Sequence, residues 1–170
     1  VRTLLLGWVL LALGSPLAGF ADVSTPLEAP DGAVLLEVRG NIANVNTEVG
    51  ADFDIDMLEG LPQHAFETST PWTSGVSQYS GPLLRDVLEL VGAKSDAIEV
   101  AALNGYVAEI PIKDFYDYDV ILALKRNNQL IPIREFGPLW VLYPFDQDET
   151  LLSERVRFRA VWQVRRIDVL

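Results

Sequence analysis

ALKRNNQLIPIREFGPLWVLYP, residues 123–144, is the stretch that decides the fold. It joins two apolar, period-two runs through Asn127-Asn128, and asparagine tolerates the positive φ that a tight hairpin turn requires. Its second half closes with Gly137-Pro138 followed by Leu139-Trp140-Val141, the start of a strand. Similar alternation occurs at Val34 to Arg39, Ile98 to Leu103, Val107 to Ile112, Asp119 to Lys125, Leu139 to Phe145 and Val156 to Val169, and each suits a strand. PLLRDVLELVG at 82–92 is the clearest helix. Pro82 suits a first turn, Leu83, Leu84, Val87, Leu88 and Val91 form one apolar face, and Gly92 can end it. Shorter helical turns are expected at 56–61 and 113–118. The expectation is an α+β domain with more sheet than helix.

Before residue 22 the pattern is different. Arg2 precedes an apolar run from Leu4 to Leu13, Gly14-Ser15-Pro16 interrupts it, and Gly19-Phe20-Ala21 has the small residues a signal peptidase reads. Residues 1–21 are therefore expected to be a Sec-type signal peptide cleaved before Asp22, with a periplasmic mature protein and no membrane span after cleavage. A retained anchor is the alternative. Residues 22–33 read as a mobile lead-in and 34–170 as one domain, large enough for an ordinary hydrophobic core. The chain has no cysteine, which suits an oxidising compartment and excludes disulfides.

A net charge of −11 argues against nucleic acid as a partner. The charge is unevenly placed: residues 22–124 carry 18 acidic and 4 basic side chains, residues 125–170 carry 6 and 8. The two parts are complementary and are expected to pack together.

The ordered set of segments resembles the molybdopterin-binding domain of the sulfite-oxidase-like family. LLEVRGNI (35–42) resembles its opening strand, and FDIDMLEGLP (53–62) its short helix ending in Leu-Pro. YSGPLLRDVLELVGA (79–93) resembles its Gly-x-Pro-Leu-type helix entry, and VAALNGYVAEIPIKDF (100–115) its Asp-Gly-Tyr strand pair. The opening stretch resembles its Gly-Pro-Leu-x-Val-x-x-Pro block, and VRRIDV (164–169) its closing strand. The resemblance implies a mixed, barrel-like β-sheet fold with a few short helices, and a pterin-bound molybdenum held by a cysteine thiolate.

Where that cysteine would stand, this chain has QHAFETSTPWTSGVSQYS (63–80). Thr68, Ser69 and Thr70 are neutral hydroxyls and poor soft ligands for a dithiolene-bound metal. The lone Arg2 also lacks the twin arginine by which the resemblance implies folded, cofactor-loaded enzymes are exported. These departures lead to the expectation of a periplasmic binding, sensory or accessory protein, with no catalytic residues, no metal and no cofactor. A molybdopterin oxidoreductase with unusual ligation and an envelope assembly protein are the alternatives.

Residues 67–81 are read as a polar loop over the pterin position, with Thr68, Ser69, Thr70, Trp72 and Tyr79 as ligand-binding residues and Tyr106 and Arg134 as contributors. Arg155, Arg157 and Arg159 would share one face of a strand and could grip an anion, against the alternative of a solvated face that resists aggregation. Trp140 and Trp162 read as core. His64, the only histidine, gives no metal site, and Asp146, Asp148 and Glu149 read as a solvated acidic turn. The partner is an unidentified small ligand or a periplasmic or membrane protein.

Overall fold

The computed structural model describes residues 26–170. The expected signal peptide and its cleavage site lie outside the described residues. In chain order the elements are β1 (Leu36–Gly40), β2 (Ala51–Phe53), α1 (Ile55–Gly60), β3 (Gln63–Thr70), β4 (Thr73–Pro82), α2 (Leu84–Leu90), β5 (Ala97–Ala102) and β6 (Val107–Pro111). They continue with α3 (Asp114–Asp117), β7 (Ile121–Ala123), β8 (Lys125–Arg126), β9 (Gln129–Leu130), β10 (Trp140–Leu142), α4 (Glu154–Arg159) and β11 (Val164–Val169). Three sheets result, ordered β2-β1-β11-β5-β6, β3-β4-β8-β9 and β10-β7. This is a mixed α+β architecture with open sheets and short helices.

Alternation explains the large sheet. β1 and β5 bury every second side chain, so Leu36, Val38, Ile98 and Val100 are fully buried and meet Ile167 and Val169 of β11. β11 runs parallel to β1 and antiparallel to β5, bringing the first and last strands of the described residues side by side in one sheet. The β8–β9 hairpin turns at Asn127 and Asn128, which take φ of 50° and 64° as the sequence requires. α2 starts after Pro82 and ends at Gly92, whose φ of 63° lets the chain leave the helix. Its apolar face buries Leu84, Val87 and Leu88.

The N-terminal lead-in is tied to the domain, in part through the Asn46 side-chain N–H, which donates to the Glu28 carbonyl. Gly32 N–H donates to Asp54 Oδ2, and Leu27 packs against the core. Asp54 also caps α1 by accepting from Met57 N–H, and these backbone donors hold its carboxyl below the usual carboxylate range. The complementary charge of the two sequence parts is used structurally: Lys125–Glu59, Arg159–Asp114 and Arg165–Glu37 all cross between them.

Three strand expectations are corrected. Val156 to Val169 is not one strand: Glu154–Arg159 forms α4, and only Val164–Val169 enters the sheet. The ERVRFR run has good helix formers, an acid in the first turn and arginines in the last, and the sheet seats beside β11 are already taken by β1 and β5. Asp119 to Lys125 divides between two sheets, because the chain leaves β10's partner strand at Leu124 to pair with β4. After Leu142 the expected strand tightens into a single 3-10 turn at Phe145–Gln147.

Candidate functional site

Residues 67–81, expected as a loop, form most of a long β-hairpin, with β3 and β4 paired from Gln63↔Pro82 to Thr70↔Thr73. Its polar residues are satisfied by one another and by Asp146 and Arg126 outside the hairpin, and that is why a Ser/Thr-rich stretch can be strand. Thr70 Oγ1 accepts from Trp72 N–H and Thr73 N–H and meets Thr73 Oγ1 at 2.8 Å, so it closes the turn. Thr68 is buried; its hydroxyl donates to the Ser69 carbonyl and accepts from Asp146 N–H at 3.1 Å. Ser69 donates both N–H and Oγ–H to the Asp146 carboxylate, at 2.6 and 2.5 Å. Asp146 is therefore a hairpin anchor rather than a free acidic turn. Asp148 caps its own turn through Thr150, which holds its carboxyl below the usual range.

The hairpin tip delivers Trp72 to an aromatic cluster. Its ring lies 5.2 Å from Trp162, 5.8 Å from Phe145 and 5.9 Å from Trp140, centroid to centroid. Phe136 stacks on Trp140 at 4.8 Å. Such offset and edge-on contacts fix ring orientation beyond what burial alone does. Trp140 is fully buried, its indole N–H donating to the Ala160 carbonyl. Trp162 is only half-buried, and so not wholly core as expected.

Beside this cluster opens a cavity of about 400 Å³. Trp72, Trp162, Ala102, Ala160 and Val161 line it. The turn between β5 and β6 contributes Asn104 and Tyr106; α4 contributes Glu154, Arg157 and Phe158. Tyr106 Oη donates to the Phe158 carbonyl at 2.8 Å, tying turn to helix. Glu154 and Arg157 make no ion pair among the described residues, and stand one helical turn apart on the same wall.

Among the residues singled out from sequence, Trp72, Tyr106 and Arg157 therefore meet at one cavity. Tyr79 does not: it is fully buried, edge-on to Trp140 at 5.7 Å, with Arg126 over its ring. Thr68, Ser69 and Thr70 serve the hairpin. Arg134 is 84 % exposed and reaches only Glu135. The arginine trio is dispersed, because helical rather than extended spacing separates Arg157 from the others: Arg159 pairs with Asp114 at 2.9 Å and Arg155 is exposed. His64 lies 3.8 Å from Asp119, outside the cavity. Sequence reasoning missed Glu154, Phe158 and Asn104. Glu154 and Phe158 share a face only once 154–159 is read as a helix, and Asn104 lies in the β5–β6 turn beside Tyr106.

A match to the oxidoreductase molybdopterin binding domain family spans residues 53–145, more than half of the chain. The chain belongs to that family. Among solved structures, it resembles the sulfane dehydrogenase SoxCD from Paracoccus pantotrophus, at a TM-score of 0.58 and 19 % identity. The likeness covers 79 % of this chain and 37 % of that one, so this chain spans well under half of its structural relative. At that identity it shows a shared fold. No curated protein sequence matches.

The residues present do not fit a molybdenum centre. A dithiolene-bound metal takes a soft anionic ligand, and the chain supplies no thiol. The hydroxyls of Thr68, Ser69 and Thr70 are committed to the Ser69 carbonyl, the Asp146 carboxylate and the hairpin turn. No cluster of three or more histidine, aspartate or glutamate side chains among the described residues could hold a metal ion.

Proposed function

We propose that this chain is an exported, periplasmic binding protein that uses the family scaffold without molybdenum redox catalysis and takes a small planar ligand into the cavity. One observation carries the reading: the hydroxyls standing where a metal thiolate belongs are spent on holding a hairpin, and that hairpin sets Trp72 into an open aromatic cavity. The ligand chemistry to match is a flat heterocycle of the pterin class, free of metal. Trp72 and Trp162, which line the cavity, are the aromatic partners for a flat ring; Glu154 can accept N–H groups, and Arg157 can donate to an anionic or carbonyl edge. The export reading rests on the apolar run at 4–13 and the small residues at 19–21. A sensory or accessory role follows if the occupied cavity is read by a protein partner, for which exposed Leu103, Val107 and Phe158 near its mouth supply apolar contact.

Calorimetric titration with biopterin tests this. Wild-type protein is expected to bind, and Trp72→Ala to bind at least about tenfold more weakly, as expected for loss of a stacking platform. Equal affinities in the two proteins would remove the cavity from the reading.

A further inference from the structure

The walls of the cavity are not equally secured. Trp72 and Trp162 are set in the aromatic cluster, and Ala102, Ala160 and Val161 are part of the buried core. α4 is different. None of its six residues is buried, Phe158 is 58 % exposed, and only Val156 packs against the core. An isolated helix of this length is unstable in water. Beyond the packing of Val156 and the buried Ala160 that follows it, polar contacts are what hold α4 against the cavity.

Arg159, at the last position of α4, makes the most sheltered polar contact of this helix. Its Nη1 donates to Asp114 Oδ2 at 2.9 Å, and the same oxygen accepts from Tyr143 Oη at 2.8 Å. Arg159 and Asp114 are only 20 % and 13 % exposed, and Tyr143 is fully buried. Asp114 belongs to α3, fixed by buried Phe115 next to it. A charged pair this sheltered, with its acceptor oriented by a second donor, resists exchange with water better than a surface pair. The other tether, Tyr106 Oη to the Phe158 carbonyl, is solvent-exposed.

We infer that Arg159 and Asp114, which do not line the cavity, are positioning residues: their ion pair clamps α4 and so sets the aperture through which Glu154, Arg157 and Phe158 meet a ligand. The inference builds on the cavity as the binding site, but it is tested on the free protein. Arg159→Met keeps the aliphatic stem and removes the clamp. Amide hydrogen exchange across 154–160 is expected to accelerate about tenfold while β5 and β11 amides keep their rates. Acrylamide quenching of tryptophan fluorescence is expected to rise at least about twofold, because Trp72 and Trp162 line the opened cavity. Arg159→Lys, which keeps a donor, should recover part of both. Unchanged exchange across α4 in Arg159→Met would overturn the clamp. Faster exchange with unchanged quenching would overturn its control of the aperture. Faster exchange in the β5 and β11 amides as well would make Arg159 a general stabilising residue and overturn the positioning role. None of these results depends on biopterin binding, so a failed titration and a failed clamp are distinct.

Discussion

Gly81, in the Ser80-Gly81-Pro82-Leu83 entry to α2, has no Cβ because there is no space for one. A methyl carbon built there would lie 2.0 Å from the Leu122 carbonyl oxygen and 2.8 Å from its carbon. Contacts below 3.0 Å are essentially never observed for real Cβ atoms, so Gly81→Ala requires β4 and β7 to part by about 1 Å. The obstacle is backbone, in a strand whose Ile121–Ala123 segment is fully buried and paired with β10, and it cannot rotate away as a side chain could. The cost should exceed that of ordinary overpacking, at about 2–4 kcal/mol. For a domain of this size the melting temperature would fall by roughly 5–15 °C. Urea unfolding followed by tryptophan fluorescence measures it, with Gly60→Ala as control, since nothing lies within 4 Å of a Cβ at Gly60. A Gly81→Ala protein within about 0.5 kcal/mol of wild type would refute the steric argument.

Two further outcomes concern pH. Asp54 has its pKa depressed by the N–H groups of Met57 and Gly32, so its stabilisation is complete above the unfolded carboxylate range and is lost as pH falls through the lower folded value. Urea midpoints measured from about pH 5 to about pH 2 should fall more steeply for wild type than for Asp54→Asn; parallel curves would exclude Asp54 as the cause. Burial beside the Asp114 carboxylate pushes the Tyr143 phenol well above its ordinary value, so it stays neutral in the folded state and stability declines as pH rises past about 10. Phenolate absorbance should show Tyr143 titrating only together with unfolding, and Tyr143→Phe should remove that step. A Tyr143 signal that titrates reversibly in folded protein would contradict it.

Elements with a strong period or a specific turn residue were legible in the sequence. The α2 face, the asparagine turn and the alternating β1, β5 and β6 depend on local patterning, which the fold keeps. α4 was misread because Arg155-Val156-Arg157-Phe158-Arg159 alternates perfectly for a strand, while the missing sheet partner is a tertiary fact. A loop reading of the hairpin fails because Ser69 bonds to Asp146 across a long sequence separation, a contact that composition does not reveal, while Thr70 and Thr73 close the turn locally. The same two errors shaped the site. Trp72 and Tyr106 were visible as aromatics in polar surroundings, whereas Tyr79, equally suggestive in sequence, falls on the inward face of β4. Glu154 and Phe158 became site residues only through helical spacing.

The claim on which the functional account rests is that this family member works without molybdenum. Native mass spectrometry combined with molybdenum analysis, on protein purified from its own host, tests it most directly. The account predicts a protein free of molybdenum that carries an organic adduct which Trp72→Ala loses. Stoichiometric molybdenum with a pterin mass would contradict it and return the chain to redox catalysis through a ligand other than cysteine.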